Sequence, residues 1–311
     1  MQKKSLKYDT ANCSNDILKT LLYFDIFKYP LSIDEITQFS FFSKEKIKSA
    51  LTKLVSDNII YQHDGFYSLN KGLNSIKKRI KGNKQANIVL EKAKKTASFI
   101  SQFPFVEGVF ISGSLSKGYF GDDDDVDYFI ITSANRLWIA RTLLILYKKI
   151  FLLNSKKYFC VNYFISLNTL SIPEKNRFTA TEFATLIPMN GNGVYNKLQD
   201  YNKWVLNYFP NYNQNKKSKP IKPNFFKRLL EFSLNGSIGN LLENKFMTVT
   251  KNHQKAKFKK LIKADFDIAF KGDKNISKHH PDNHQVKVIK ELNKRIVMFN
   301  KKHQLSIAIE E

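Results

Sequence analysis

Cysteine is nearly absent from this chain. The 311 residues hold two, Cys13 and Cys160, far apart. That excludes a disulfide framework and any thiolate metal cage, and a reducing compartment is expected. Glycine (12) and proline (8) are also scarce, which excludes collagen-like and low-complexity classes. No apolar run is long enough to span a bilayer. The longest, Leu137–Leu153, is interrupted by Arg141, Lys148 and Lys149 and reads as a buried helix. The first residues, MQKKSLKYDTANCSND, lack an apolar signal core, so a cytoplasmic location is expected. Acids are few: 51 Lys and Arg against 27 Asp and Glu leave a net charge of +24. Arginine occurs only at positions 79, 136, 141, 177, 228 and 295. A surface that reads phosphates or bases normally uses more of its planar fork. The excess is therefore read first as a solvated lysine-rich surface, with a polyanionic partner as the alternative. What is present is apolar material, 42% of the chain with 14% aromatic, enough for real cores and about two domains.

Residues 1–72 read as a first unit. Ile17, Leu18, Leu21, Leu22 and Phe24 follow helical spacing up to Pro30. Ser32 and Glu35 form a capping box for a short helix, and Ser43 can cap a third helix carrying Ile47, Ala50, Leu51, Leu54 and Val55. Two β-prone runs then flank Asp64-Gly65, a hairpin signal. Three helices and a hairpin resemble a winged helix, with the third helix (Lys44, Lys46, Lys48, Lys53) as the element that could meet DNA. That helix lacks Arg, and an Asp stands at the wing tip, so a packing module is the competing reading. Residues 73–102 predict a connector helix with Ile76, Ile80, Ile88, Leu90 and Ala93. Residues 103–190 read as an α+β core, with strands at 105–132 and 157–167, a helix at 135–153 capped by Asn135, and helix over 174–209. Residues 191–311 read as mostly helical. Within them, 213–263 hold 13 basic and 2 acidic residues.

The chemistry is concentrated between Val109 and Ile131. An apolar strand runs into Ser112-Gly113-Ser114-Leu115-Ser116-Lys117-Gly118. Twelve residues after Gly113 comes Asp125-Val126-Asp127, which enters a second apolar strand. Asp125 and Asp127, two apart in extended chain, point to one face. Paired carboxylates repel unless a cation lies between them, and an all-oxygen set favours Mg²⁺ or Mn²⁺. Gly113 permits close approach of the backbone to a phosphate, and Ser114 offers a hydroxyl and an N–H. Ser116 and Lys117 complete the nucleotide-binding candidates, Lys117 as a cation for a leaving pyrophosphate.

Gly113, Ser114, Asp125, Val126, Asp127 and Tyr128 together resemble the signature of the DNA polymerase β-like nucleotidyltransferase superfamily. Most of the chain, with the winged helix, Ile111-Ser112-Gly113-Ser114, the Asp125-Val126-Asp127 strand, Asn135-Arg136-Leu137-Trp138 and Phe178-Thr179-Ala180-Thr181-Glu182, resembles bacterial nucleotidyltransferase-domain proteins. The resemblance implies a nucleotidyltransferase core with a mixed sheet, flanked by the winged helix and a helical C-terminal region. It implies transfer of a nucleoside monophosphate from a nucleoside triphosphate such as ATP to an acceptor hydroxyl. Two metal ions would bind at Asp125 and Asp127. Active members usually add a third acid on a later strand. Here the strand Tyr158–Phe164 carries none; Asn162 stands in a suitable place, and Glu174 and Glu182 are nearby alternatives. A small-molecule or protein acceptor is favoured over nucleic acid. The alternatives are a DNA-binding regulator that senses the nucleotide, or an antitoxin-like enzyme that modifies a partner protein.

The remaining candidates are weaker. Arg177 could contact phosphate or acceptor. Tyr119 and Phe120 could stack on a base. Trp138 is expected in the core, and the histidines of His279-His280-Pro281-Asp282-Asn283-His284 match no zinc spacing.

Overall fold

The computed structural model describes residues 2–258, 270–278 and 284–310. The fold is mixed α+β. The first helix, α1 (Gln2–Asp25), buries Ile17, Leu18, Leu21 and Leu22 on one side. A short strand β1 (Leu31–Ser32) leads into α2 (Ile33–Gln38). There the Ser32 hydroxyl accepts from the Glu35 N–H, while Glu35 Oε2 accepts from the Ser32 N–H at 2.8 Å, the expected capping box. Helix α3 (Lys44–Ser56) buries Ile47, Ala50, Leu51 and Leu54. Ser43 occupies its N-cap, without a side-chain bond to the backbone. Strands β2 (Tyr61–His63) and β3 (Phe66–Ser68) form a hairpin whose corner residues, Asp64 and Gly65, both take positive φ (50° and 79°). This is the turn whose twist suits antiparallel strands. β1 completes a three-stranded sheet in the order β1-β3-β2.

Helix α4 (Asn74–Ile100) follows as a 27-residue strut. Its buried stripe is Ile76, Arg79, Gly82, Ala86, Val89, Ala93, Ala97 and Ile100; Ile88, expected among its packed residues, faces solvent. One member of the buried stripe is charged. Arg79 is buried, reaches Glu35 Oε1 at 2.6 Å and the Pro30 carbonyl at 3.2 Å, and lies 3.6 Å over the Tyr29 ring.

The main sheet is built from β4 (Val106–Ser112), β5 (Asp127–Thr132), β6 (Cys160–Ser166), β7 (Ile187–Gly191) and β8 (Ile276–Lys278), ordered β7-β4-β5-β6-β8. β5 and β6 are parallel, joined by helix α6 (Leu137–Phe151); the other pairs are antiparallel. A one-turn helix α5 (Gly113–Ser116) follows β4. Alternation divides the sheet's side chains between two cores. Phe110, Phe129, Ile131 and Ile165 join α1, α2, α3 and the C-terminal helix on one face. Val109, Ile111, Tyr128 and Ile130 join α4 and α6 on the other.

Several local expectations are corrected. The stretch 174–209 is not continuously helical. It comprises α7 (Arg177–Thr185), strand β7, α8 (Val194–Tyr201) and a 3₁₀ turn (Lys203–Asn207). Pro188 obscures β7 in sequence, yet β7 is an edge strand, where a missing N–H is tolerated. Asn176, whose side chain accepts from the Thr179 N–H, caps α7. Asn135 does not cap α6. It sits at φ 57°, and the first N–H groups of the helix, those of Trp138 and Ile139, donate to the Glu243 carboxylate at 2.8 and 2.9 Å. Glu243 belongs to α10 (Ser237–Lys257), which follows α9 (Phe225–Ser233). α11 (His284–His303) closes the described chain. Of the His279–His284 motif only His284 lies within the described residues, as the first residue of α11. Among the described residues, no helix is long and apolar enough to cross a membrane.

Candidate functional site

The site begins with strand register. In the β4–β5 pair, Ser112 stands opposite Asp127. The next residue, Gly113, turns the chain at φ 68°. A methyl group on its Cα would collide with Oδ2 of Asp127. Glycine is therefore required twice, for the left-handed backbone and for the space that the carboxylate fills. Fourteen residues of intervening loop close so that the Gly-Ser turn and the acidic strand end meet.

Asp127 opens β5. Its other oxygen, Oδ1, accepts from Asn162 Nδ2 at 2.9 Å, and its register partner on β6 is Cys160. Burial pushes the Asp127 carboxyl up to about 6, and the charges of Glu182 and Asp125 add to that, against hydrogen bonds from Cys160 and Asn162. The Cys160 thiol is pushed up to about 12, by burial first and then by the Asp127 charge. Val126, between the two aspartates, is buried, and its N–H and carbonyl pair with Lys157 and Cys160. This extends the β5–β6 ladder one residue beyond the strand and fixes Asp125 beside Asp127.

Two other acids of the run, Asp122 and Asp124, have local partners. Asp124 Oδ2 accepts from the Gly121 N–H at 2.8 Å, and exposed Asp122 meets Lys81 at 3.2 Å. The turn's remaining polar groups fold back on themselves. Ser116 Oγ donates to the Gly113 carbonyl at 2.8 Å and lies 3.2 Å from Thr185 Oγ1. Lys117 Nζ donates to the same carbonyl at 3.0 Å and pairs with Glu182 Oε1 at 2.8 Å. Glu182 thus stands in the site's neighbourhood as the partner of Lys117. Glu174 lies elsewhere, paired with Lys271 at 3.4 Å. Among the described residues, no three His, Cys, Asp or Glu side chains converge as a metal cage would. The two-aspartate set with its destabilised anion is the part that suits a hard cation, which would offset the burial and the neighbouring charges that raise Asp127.

Three candidates are placed away from substrate. Arg177 is buried, donating through Nε to Glu310 Oε1 at 2.6 Å. Phe120 is buried in the core. Tyr119 packs on Gly82 of α4 and edge-on to Tyr29, ring centroids 6.0 Å apart. Neither ring is presented for base stacking.

Beside the turn lies a cavity of about 260 Å³ that sequence alone did not reveal. It is bounded by Tyr29, Glu35 and Gln38 from the N-terminal unit, Lys117 from the turn, Thr185 from α7 and Lys216 from the following linker. Lys216 Nζ donates to the carbonyls of Ala184 and Leu186 at 2.7 and 2.8 Å, the open end of α7, and burial lowers its pKa to about 8. Its sequence context, one lysine among many, carried no signal for this. Comparison with protein-family models, with curated proteins and with solved structures finds no match for the chain.

Proposed function

We propose that the chain is a metal-dependent nucleotidyltransferase, moving a nucleoside monophosphate from a nucleoside triphosphate to an acceptor hydroxyl. The observation that carries this reading is the fit of Gly113 against Asp127. The Gly-Ser turn is held at contact distance from Asp127, the first residue of β5, with Asp125 two residues before it. Asp125 and Asp127 would hold Mg²⁺ or Mn²⁺. The ion would supply charge neutralisation to the triphosphate. Gly113 and Ser114 bind the phosphates through the turn, and Lys117 offers its ammonium to them in exchange for Glu182. The acceptor hydroxyl gives up its proton to solvent, its oxygen bonds to the α-phosphorus, the bond to the bridging oxygen of the β-phosphate breaks, and pyrophosphate leaves with the electron pair.

The N-terminal unit, with its winged-helix order of elements, faces the turn and closes the cavity over it. Ser116 and Lys117 line that cavity, and a small-molecule or protein acceptor is favoured over nucleic acid. One observation favours a second reading, nucleotide sensing without transfer. Asn162, at the irregularity in the β5–β6 register, is the β6 side chain that reaches Asp127, and an amide cannot take the acceptor's proton. The exposed lysines of α3, among them Lys46, Lys48 and Lys53, would then meet DNA.

Incubation with labelled ATP, CTP, GTP and UTP, Mg²⁺ and a cell extract tests the proposal. Transfer of label that is lost in Asp127→Ala supports it. Turnover unchanged in that variant overturns it. Nucleotide binding with no transfer, joined to salt-sensitive DNA binding, supports the second reading.

A further inference from the structure

Helix α9 is turned inside out. Its inward face is polar. Lys227 is buried and donates to the carbonyls of Ser101 and Val106 at 2.9 and 2.6 Å, and Glu231 Oε1 accepts from the Phe105 N–H at 2.7 Å. Its outward face is apolar. Phe225 and Phe226 are each 71% exposed and Phe232 86%, with Leu229 beside them. The start of α10 adds Ile238 and Leu241, both about two-thirds exposed. A helix on a soluble surface ordinarily shows the opposite arrangement.

Charge follows the same division. The segment 213–258 contains only two acids, Glu231 and Glu243, and neither is exposed. Glu231 is held beneath α9, and Glu243 is committed to the N-terminus of α6. The cations Lys222, Arg228 and Lys245 remain exposed around the apolar face. The outer surface therefore offers large apolar side chains ringed by positive charge.

We propose that the α9–α10 face docks the protein on an anionic phospholipid bilayer. Phe225, Phe226 and Phe232 enter the boundary between headgroups and acyl chains, and the surrounding lysines and arginine meet the headgroup phosphates. The charge argues against a second copy as the occupant, since two such faces would bring like-signed rims together on chains of +24 each. Nucleic acid would satisfy the cations and leave leucine and isoleucine in water.

Co-sedimentation of the full chain with vesicles tests this. One set is pure phosphatidylcholine, and the other contains about a third phosphatidylglycerol. The chain is expected to pellet with the anionic vesicles and to stay in solution with the neutral ones. The double variant Phe225→Ser, Phe232→Ser should weaken binding at least tenfold, and Arg228→Gln several-fold, with circular dichroism unchanged because these side chains are exposed. A chain that stays in solution with both vesicle types overturns the proposal. So does anionic binding that the double variant leaves intact, which would reduce the effect to diffuse charge. Self-association by sedimentation velocity that the double variant abolishes, without vesicle binding, assigns the face to a second copy instead. Binding of single-stranded DNA that depends on the same two phenylalanines, without vesicle binding, assigns it to nucleic acid.

Discussion

At the scale of single residues, Asp127 illustrates a site kept at a cost to the fold. Its native pKa of about 6 lies above the ordinary 3.8, so the native state binds the proton more tightly than the unfolded chain. Below about pH 3 both states are protonated and the difference vanishes. Stability falls as pH rises through the window from 3.8 to 6, and above it the full cost is present. Two pKa units correspond to about 3 kcal/mol, and partial exposure reduces that to roughly 1–2. Asp127→Asn removes the charge and keeps the shape. It should raise the melting temperature at pH 7.5 and leave it unchanged at pH 3, in scans without divalent ions. Mg²⁺ should then stabilise the native sequence and not the variant. A melting temperature that is equal or lower in the variant at pH 7.5 would show that Asp127 carries no such strain. Gly113→Ala tests the opposite partner. The methyl meets Oδ2 of Asp127, and the left-handed backbone penalises it further. A loss of about 2–3 kcal/mol in denaturant unfolding is expected, together with loss of nucleotide binding. A neutral result would mean that the turn yields without effort.

Among the elements, α6 shows how a helix can be capped from a distance. Asn135, the local candidate, takes the left-handed conformation, and Glu243 of α10 receives both Trp138 and Ile139 N–H groups. Glu243→Ala would leave two buried donors unpaired and remove an anion from the helix's positive end. About 3 kcal/mol should be lost by urea unfolding, while Asn135→Ala should change stability by less than about 0.5. If the two losses were reversed, the local cap would be the operative one. This pair also marks what a sequence can show. Features whose cause lies within a few residues were legible: the Ser32–Glu35 box, the Asp64-Gly65 corner, and the strands entering and leaving the Gly113–Asp127 loop. In the site, the spacing of Gly113 and Asp127 announced their meeting. Features whose cause lies across the chain were not legible. The stretch 174–209 read as helix, and β7 within it is defined by its pairing with β4. Arg177 looked exposed until Glu310 was brought to it from 133 residues away. Lys216 and Glu182 acquire their places only through the packing of α7 between the turn and the linker.

For the whole molecule, the question is whether the two cores melt as one. They share the main sheet, since adjacent residues of β4 and β5 serve opposite faces. They are also tied by buried charges that join distant segments. Arg79 of α4 holds Glu35 and Pro30 of the N-terminal unit, and Glu310 near the C-terminus receives Arg177 of α7 and Lys19 of α1, the latter at 2.8 Å. The Arg79 contact makes partial unfolding costly, because opening either core strands a charge in the other, whereas Glu310 ties α1 to α7 within the first core. The chain carries two tryptophans, and they report separately: Trp138 is buried in the α4–α6 core, and Trp204 packs against the other. In the single-tryptophan variants Trp138→Phe and Trp204→Phe, fluorescence should therefore give melting transitions that each coincide with loss of helicity measured on the same variant. Adding Glu310→Ala to each should lower both midpoints together, by the equivalent of about 3–5 kcal/mol, since Arg177 and Lys19 are left facing a buried gap. If Glu310→Ala moved only the Trp204 transition, the cores would be independent units. The cavity between the N-terminal unit and the turn would then lie on a joint free to open, rather than in a wall held shut by the fold.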